Sequence, residues 1–133
     1  MVTEENSLEE IKAYFNKDRF AAAAQCSIIE AKANHSVCRM PITPEHLNAN
    51  GTVMGGALFT LADFTMAVAS NLDGKPTVSI DCSIRFFRPA KGNELIATCS
   101  AVKAGRSVGF YTVEIADEQG ALVAEFTSTA HRS

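Results

Sequence analysis

One charged side chain, Asp63, stands in the run GTVMGGALFTLADFTMAVASNL from Gly51 to Leu72. Burying a carboxylate among such neighbours is costly unless it gains a partner, a raised pKa or a water-filled pocket. With its pKa raised toward neutrality, a carboxylate is suited to take a proton from water, the work of a general base. Eight residues earlier, Gly55 and Gly56 mark the start of a helix. N–H groups there lack intrahelical partners, and no Cβ obstructs an approaching oxygen. A base for water and a donor aimed at an oxygen that becomes negative are what hydrolysis of an activated acyl group requires. A structural ion pair between Asp63 and a basic residue elsewhere is the alternative, and the sequence leaves both open.

The element that positions Asp63 is a helix from Gly55 to the turn signal Asp73-Gly74. Leu58, Leu61, Thr65, Val68 and Leu72 share one face, and Gly56, Thr60, Asp63, Ala67 and Ser70 share another. A helix apolar almost all round is expected to be buried in the interior. Before it, Ser7-Leu-Glu-Glu10 reads as a capping box opening a short helix with Leu8, Ile11 and Phe15 on its apolar edge. Asp18 is placed to cap a second helical turn through Phe20 to Ala24. Residues 25–33 and 36–42 read as strands about a turn at Asn34-His35, and Thr43-Pro44-Glu45 as a helical turn that carries His46 and Leu47 to the glycine loop.

After Gly74 the period changes. Residues 77–87 alternate, with Val78, Ile80, Cys82, Ile84 and Phe86 on one face and Thr77, Ser79, Asp81, Ser83 and Arg85 on the other. Turns at 89–92, 105–106 and 117–120 separate further strands at about 94–103, 107–116 and 121–131, an antiparallel meander. The expected class is α+β, one helix against a curved antiparallel sheet. At 133 residues the chain is expected to form a single domain, 1–133, with an N-terminal helical segment over 1–24 and a core over 25–133.

Composition excludes several functions. A net charge of −3 gives no electrostatic footprint for nucleic acid, and no apolar run is long enough for a membrane span. The opening MVTEENSLEE is acidic where a secretory signal is basic and then apolar, so a cytoplasmic location is the expectation. Four cysteines without CxxC spacing read as small reduced residues, and three scattered histidines suggest no metal site. No metal or cofactor is expected. GTVMGG lacks the Lys-Ser/Thr ending of a phosphate loop. Asp81 and Glu45 read as solvated acids.

The loop and helix NANGTVMGGALFTLAD, followed by SIDCSIRFFRPAKGNELIA and VKAGRSVGFYTVEIADEQGALVAEFTST, resemble the hotdog-fold thioesterases of the PaaI-like (phenylacetate-pathway) group over residues 40–131. The resemblance implies a long central helix wrapped by a five- or six-stranded antiparallel sheet, hydrolysis of acyl-CoA, and assembly as dimers or dimers of dimers. It implies Asp63 as general base or nucleophile, the Gly55 N–H as donor to the thioester carbonyl, and Asn48 in the same site. Ser79 matches a position that contacts the attacking water, although strand alternation sets it opposite the apolar face. Met54 and Gly56 belong to the substrate-binding loop, and Arg88 and Arg106 are the candidates for the phosphates of coenzyme A. Met54 stands where the group's motif has histidine, and a thioether cannot donate a hydrogen bond to an oxyanion. That departure keeps a non-catalytic acyl-CoA-binding module as an alternative. A hotdog dehydratase or hydratase is a further one, for which His46 is the only histidine in the central loop.

Phe59, Phe64, Met66, Phe86 and Phe87 suit an acyl pocket and equally a plain core. Helix geometry adds one expectation. Gly55 and Asp63 lie about 12 Å apart along the helix axis, too far to serve one carbonyl and its attacking water. A second antiparallel copy of the helix would bring its own Asp63 near the first Gly55, giving two equivalent sites shared between subunits.

Overall fold

The computed structural model describes residues 1–133. The elements run α1 (Leu8–Phe15), α2 (Arg19–Ala23), β1 (Ser27–Lys32), β2 (His35–Pro41), a 3-10 turn (Pro44–His46), α3 (Gly55–Ser70), β3 (Thr77–Phe86), β4 (Glu94–Ala104), β5 (Val108–Asp117) and β6 (Leu122–Arg132). The six strands form one antiparallel sheet in the order β1-β2-β4-β5-β6-β3, which leaves β1 and β3 as its edges. The sheet wraps α3, the architecture that the resemblance implies.

Alternation builds the core from the strand side: Leu95, Ala97 and Cys99 of β4, Tyr111, Val113 and Ile115 of β5, and Val123, Phe126 and Ala130 of β6 are buried. Leu58, Leu61, Thr65 and Val68 of α3 and Leu72 beyond it meet them, the face read from the spacing. Each such aliphatic side chain contributes about 1.5–3 kcal/mol of transfer free energy. Ser36 on β2 donates to the Thr65 carbonyl at 2.6 Å, fixing the helix to the sheet by a polar link in an otherwise apolar layer. The N-terminal segment joins the same core through Ile11, Phe15 and Ala21. Its first helix is held by the Ser7–Glu10 capping box, in which the Glu10 side chain accepts from the Ser7 N–H at 2.9 Å.

The structure corrects three expectations. First, α3 is not buried all round: Gly56, Phe59 and Asp63 are exposed and Thr60 and Ala67 half-buried, a continuous stripe at helical spacing. The sheet leaves that stripe uncovered, and only α2 flanks it, beside Phe59, Thr60 and Asp63. Second, the apolar residues of β3 do not share one inward face. A bulge at Ile80 breaks the pairing with β6, so that Ser79 pairs with Ala130 and Asp81 with Thr129. The extra residue reverses the alternation: Val78 and Ile80 are 63% and 65% exposed, while Ser79 and Cys82 both turn to Ser128 of β6. Third, the β1–β2 turn falls on Ala33-Asn34, one residue early, because Asn34 takes the left-handed conformation (φ 68°) that asparagine tolerates.

Beyond α3 the chain is tied down. The Asn71 amide donates to the Ala67 carbonyl (2.9 Å) and accepts from the Thr77 N–H (2.8 Å). The buried Arg132 pairs with Asp73 and donates to the Tyr111 hydroxyl (2.9 Å), Thr77 Oγ1 (3.3 Å) and the Gly105 carbonyl (2.9 Å). The last strand is thereby locked to the helix exit and to the β4–β5 turn.

Candidate active site

The loop leading into α3 is shaped by two side chains. His46 is buried; its Nδ1 lies 3.1 Å from the Thr43 N–H and accepts from it, so Nε2 carries the ring proton and donates to the Ala24 carbonyl at 2.7 Å. The end of α2 is thus pinned to the start of the loop. Asn48 curls the next turn on itself: its Oδ1 accepts from Asn50 N (2.9 Å), Thr52 N (3.1 Å) and Thr52 Oγ1 (3.2 Å). Its Nδ2 has no partner within the chain. Gly51, with φ 79°, makes the reversal. The Met54 N–H then donates to the His46 carbonyl at 2.8 Å, which places Met54 at the N-cap.

Methionine has no oxygen with which to cap. The Met54 carbonyl receives the N–H groups of Ala57 (2.9 Å) and Leu58 (3.2 Å), and those of Gly55 and Gly56 remain without partners. They present the positive end of a 16-residue helix, a site for a developing negative oxygen. Glycine at position 55 permits a close approach: a Cβ there would lie 3.0 Å from Cζ of Phe86 on β3, so the ring would have to shift by a few tenths of an ångström. Met54 is 55% exposed, with its methyl 3.8 Å from where a Gly56 Cβ would sit. Gly55, Phe86, Phe87 and Arg88 line one cleft of about 510 Å³, so the structure brings Arg88 to the helix start.

Asp63 lies in a different cleft of about 310 Å³, between α3 and α2, with Asp18, Arg19 and Phe20 on the α2 side and Phe59, Thr60 and Phe64 on its own helix. None of the chain's four ion pairs includes Asp63, and its carboxylate accepts no hydrogen bond from the protein. The surrounding protein partly desolvates the carboxylate and raises its pKa above the ordinary value, and the Asp18 charge adds a smaller push in the same direction. Asp18 occupies the N-cap position of α2 yet makes no capping bond with its side chain; burial raises its pKa as well. Asp117 shows the opposite treatment of an acid. Burial pushes its pKa up, but the N–H groups of Lys91, Ala121 and Gln119, at 3.0–3.1 Å, outweigh it and hold the carboxyl below its usual value.

The bulge brings Ser79 to the helix side of the sheet, where its hydroxyl meets Ser128 Oγ at 2.9 Å and Met66 Sδ at 3.4 Å. It stands beside α3 less than one turn beyond Asp63, with no bond to the carboxylate. Arg106 is not brought to Gly55 within the chain. It sits on the β4–β5 turn, where its carbonyl receives Lys75, which follows the other end of α3. Of the five apolar candidates, Phe64 and Met66 are core, while Phe59, Phe86 and Phe87 are open.

Sequence reading missed the neighbours that α2 supplies. Asp18 read as a cap and Phe20 as part of an alanine-rich turn, and nothing local signals that a segment 45 positions before Asp63 walls its cleft. It missed the Phe86–Gly55 contact for the same reason. His46 carried a usable signal: a histidine in a Thr-Pro-Glu-His turn can reach back to the turn's own first residue, as it does.

Known proteins resemble this chain in sequence and in fold. The Thioesterase superfamily profile matches residues 50–124, from the glycine loop to β6. The chain is 36% identical over 121 residues to acyl-coenzyme A thioesterase PaaI of Escherichia coli (strain K12), covering 90% of this chain and 86% of that protein. With human acyl-coenzyme A thioesterase 13 it shares 33% identity over 128 residues, covering 92% and 91% of the two chains. The structure of the E. coli PaaI protein from the phenylacetic acid degradation operon superposes with a TM-score of 0.87 at 33% identity, covering 96% of each chain. By the profile match, the identity to PaaI and the shared fold, this chain belongs to the thioesterase superfamily, as a hotdog-fold member of the PaaI-like group.

Proposed function

We propose that this protein hydrolyses acyl-CoA thioesters to a free acid and coenzyme A, with Asp63 as the base that activates water and the Gly55 N–H as the donor to the carbonyl oxygen. One observation carries the reading: the carboxylate of Asp63 lacks any partner in a desolvating cleft, while the helix that bears it leaves its first N–H groups unbonded. Asp63 takes a proton from water as the water oxygen bonds to the acyl carbon. The negative oxygen of the tetrahedral intermediate faces the Gly55 N–H, aided by Gly56. Collapse breaks the C–S bond, and the departing thiolate recovers the proton from Asp63. Ser79 positions the water, Asn48 orients the loop through its Oδ1 and offers Nδ2 to substrate, and Met54 packs against the acyl-CoA. Arg88 meets the phosphates of coenzyme A at the helix start, and Arg106 does so from the far end of the site.

Because Gly55 and Asp63 lie about 12 Å apart on one helix, the site is completed by a second copy of the chain. Three features of the single chain support that assembly: the uncovered stripe on α3, the unpaired edge of β3, and the exposure of Val78 and Ile80 on it. The whole chain, 1–133, acts as one domain in this assembly, since residues 1–24 share the core of residues 25–133. No helix is long and apolar enough to cross a membrane. Four free cysteines, with the half-buried thiol of Cys26 and the buried thiols of Cys38 and Cys99 pushed up to about 12 by desolvation, fit work in the reducing cytoplasm.

The test is steady-state release of free thiol from a panel of short, medium, long and aryl acyl-CoAs. Turnover of at least one class is expected. Tight binding of acyl-CoA with no turnover of any class would instead identify a non-catalytic binding module.

A further inference from the structure

Two clefts of the molecule share a wall. The Asp63 cleft, about 310 Å³, has Phe20 and Ala21 of α2 on one side and Phe59 and Phe64 on the other. A second cleft of about 370 Å³ runs between α1 and β1, with Phe15, Ala22, Cys26 and Ile28 among its lining residues, and Phe64 again. Phe64 is 6% exposed and is held edge to face against Phe15, ring centres 6.4 Å apart. Consecutive residues of α2, Ala21 and Ala22, likewise face one cleft and the other. The second cleft contributes nothing to the hydrolysis as described. Its walls are mainly apolar, and it begins where the residue after the base ends the first.

We propose that Phe64 is the partition that sets how long an acyl group this enzyme accepts, and that the α1–β1 cleft is the space a longer acyl tail would enter without that ring. The inference rests on the reading of Asp63 as the base of an acyl-CoA hydrolase. An acyl carbon within reach of water held by Asp63 directs its chain into the Asp63 cleft, and the Phe64 ring meets the chain there. A short tail is covered by Phe20, Phe59 and Phe64. A longer one turns back into solvent, and each methylene left in water instead of against apolar wall forfeits roughly fourfold in kcat/KM.

The experiment measures kcat and KM across saturated acyl-CoAs from acetyl to palmitoyl for wild type, Phe64→Leu, Phe64→Ala and the double variant Phe64→Ala/Ala22→Leu, with thermal melts to show that each is folded. The wild-type profile is expected to peak and then fall with length. Phe64→Leu and Phe64→Ala move the peak stepwise to longer chains, gaining roughly fourfold per methylene newly buried, mostly through KM. Ala22→Leu, which refills the second cleft, moves it back. Should Phe64→Ala not fold, Phe64→Leu decides alone. A profile whose shape does not change, or a loss equal at every length in folded variants, overturns the partition. A wild type that hydrolyses no acyl-CoA contradicts the proposed function instead, so the two failures are distinguishable.

Discussion

At the C-terminal end of α3 the Asn71 amide caps the Ala67 carbonyl and the Thr77 N–H, and the buried Arg132 ties Asp73 to Tyr111, Thr77 and Gly105. At the N-terminal end, 16 residues away, Met54 offers no cap, two glycine N–H groups go unbonded, and the stripe that starts at Gly56 and includes Asp63 is left open. The same helix is finished by side chains at one end and left unfinished at the other. An end saturated with partners contributes stability. An end with free donors beside an unpaired acid forgoes stability and keeps groups available for a reacting oxygen.

The largest effect expected is at the open side. Asp63→Asn keeps the shape and removes the base, and should lower kcat on the order of 100-fold to 10,000-fold, measured by thiol release on the best acyl-CoA. It should also leave the fold slightly more stable at neutral pH. The folded-state pKa of Asp63 is raised, so the folded state binds more protons than the unfolded state between the two pKa values. Stability is therefore fullest below the unfolded carboxylate pKa and falls as pH rises through the raised one, a penalty that asparagine escapes. The rate of wild type runs the other way. It needs ionised Asp63, so its acid limb should lie higher than that of an unperturbed aspartate and move down in Asp18→Asn, which removes the neighbouring charge.

The sealed end should respond in stability and not in chemistry. Asp73→Ala leaves the buried Arg132 guanidinium without its counter-charge; because Asp73 itself lies at the surface, the cost should be about 1–3 kcal/mol, below that of a fully buried pair. Denaturant unfolding should show that loss, while kcat of the folded fraction stays within about twofold of wild type. A fall in kcat without loss of stability would erase the contrast between the ends.

Met54 sharpens the comparison because one position can be finished or left open. Met54→Asp supplies the missing cap and should stabilise the fold by about 1 kcal/mol, as N-cap oxygens do. Its carboxylate would occupy the Gly56 or Ala57 N–H and repel the oxyanion, so activity should fall toward the roughly 100-fold loss that follows removal of an oxyanion donor. Met54→His should change kcat by less than about tenfold, or about 1.4 kcal/mol in barrier, because the backbone donor survives either side chain. A wild type that is silent until histidine is restored would mean that the side chain, not the Gly55 N–H, is the donor.

Much of this was legible in the chain. The capping box at Ser7–Glu10, the buried face of α3 and the meander of β4 to β6 follow from local spacing, and the structure places them within a residue or two. What sequence could not give is non-local. The bulge at Ile80 exists because β3 pairs with β6 in a register that leaves one residue over, and it alone turns Ser79 inward. The stripe of α3 reads as core by composition and is open because the sheet stops short of it. Asp18 and Phe20 stand beside Asp63 across 45 positions of chain, with the end of α2 fastened to the glycine loop through His46.

The central claim is that Gly55 of one chain and Asp63 of another make each site, and complementation tests it most directly. Chains carrying Asp63→Asn and chains carrying Asn48→Ala, each inactive alone, are co-expressed in equal amounts and assayed together. Random pairing makes about half the dimers mixed, each with one of its two sites intact, so the account predicts about a quarter of wild-type activity. Activity no greater than the sum of the two variants alone, or full activity from a chain that stays monomeric in sedimentation, would contradict it.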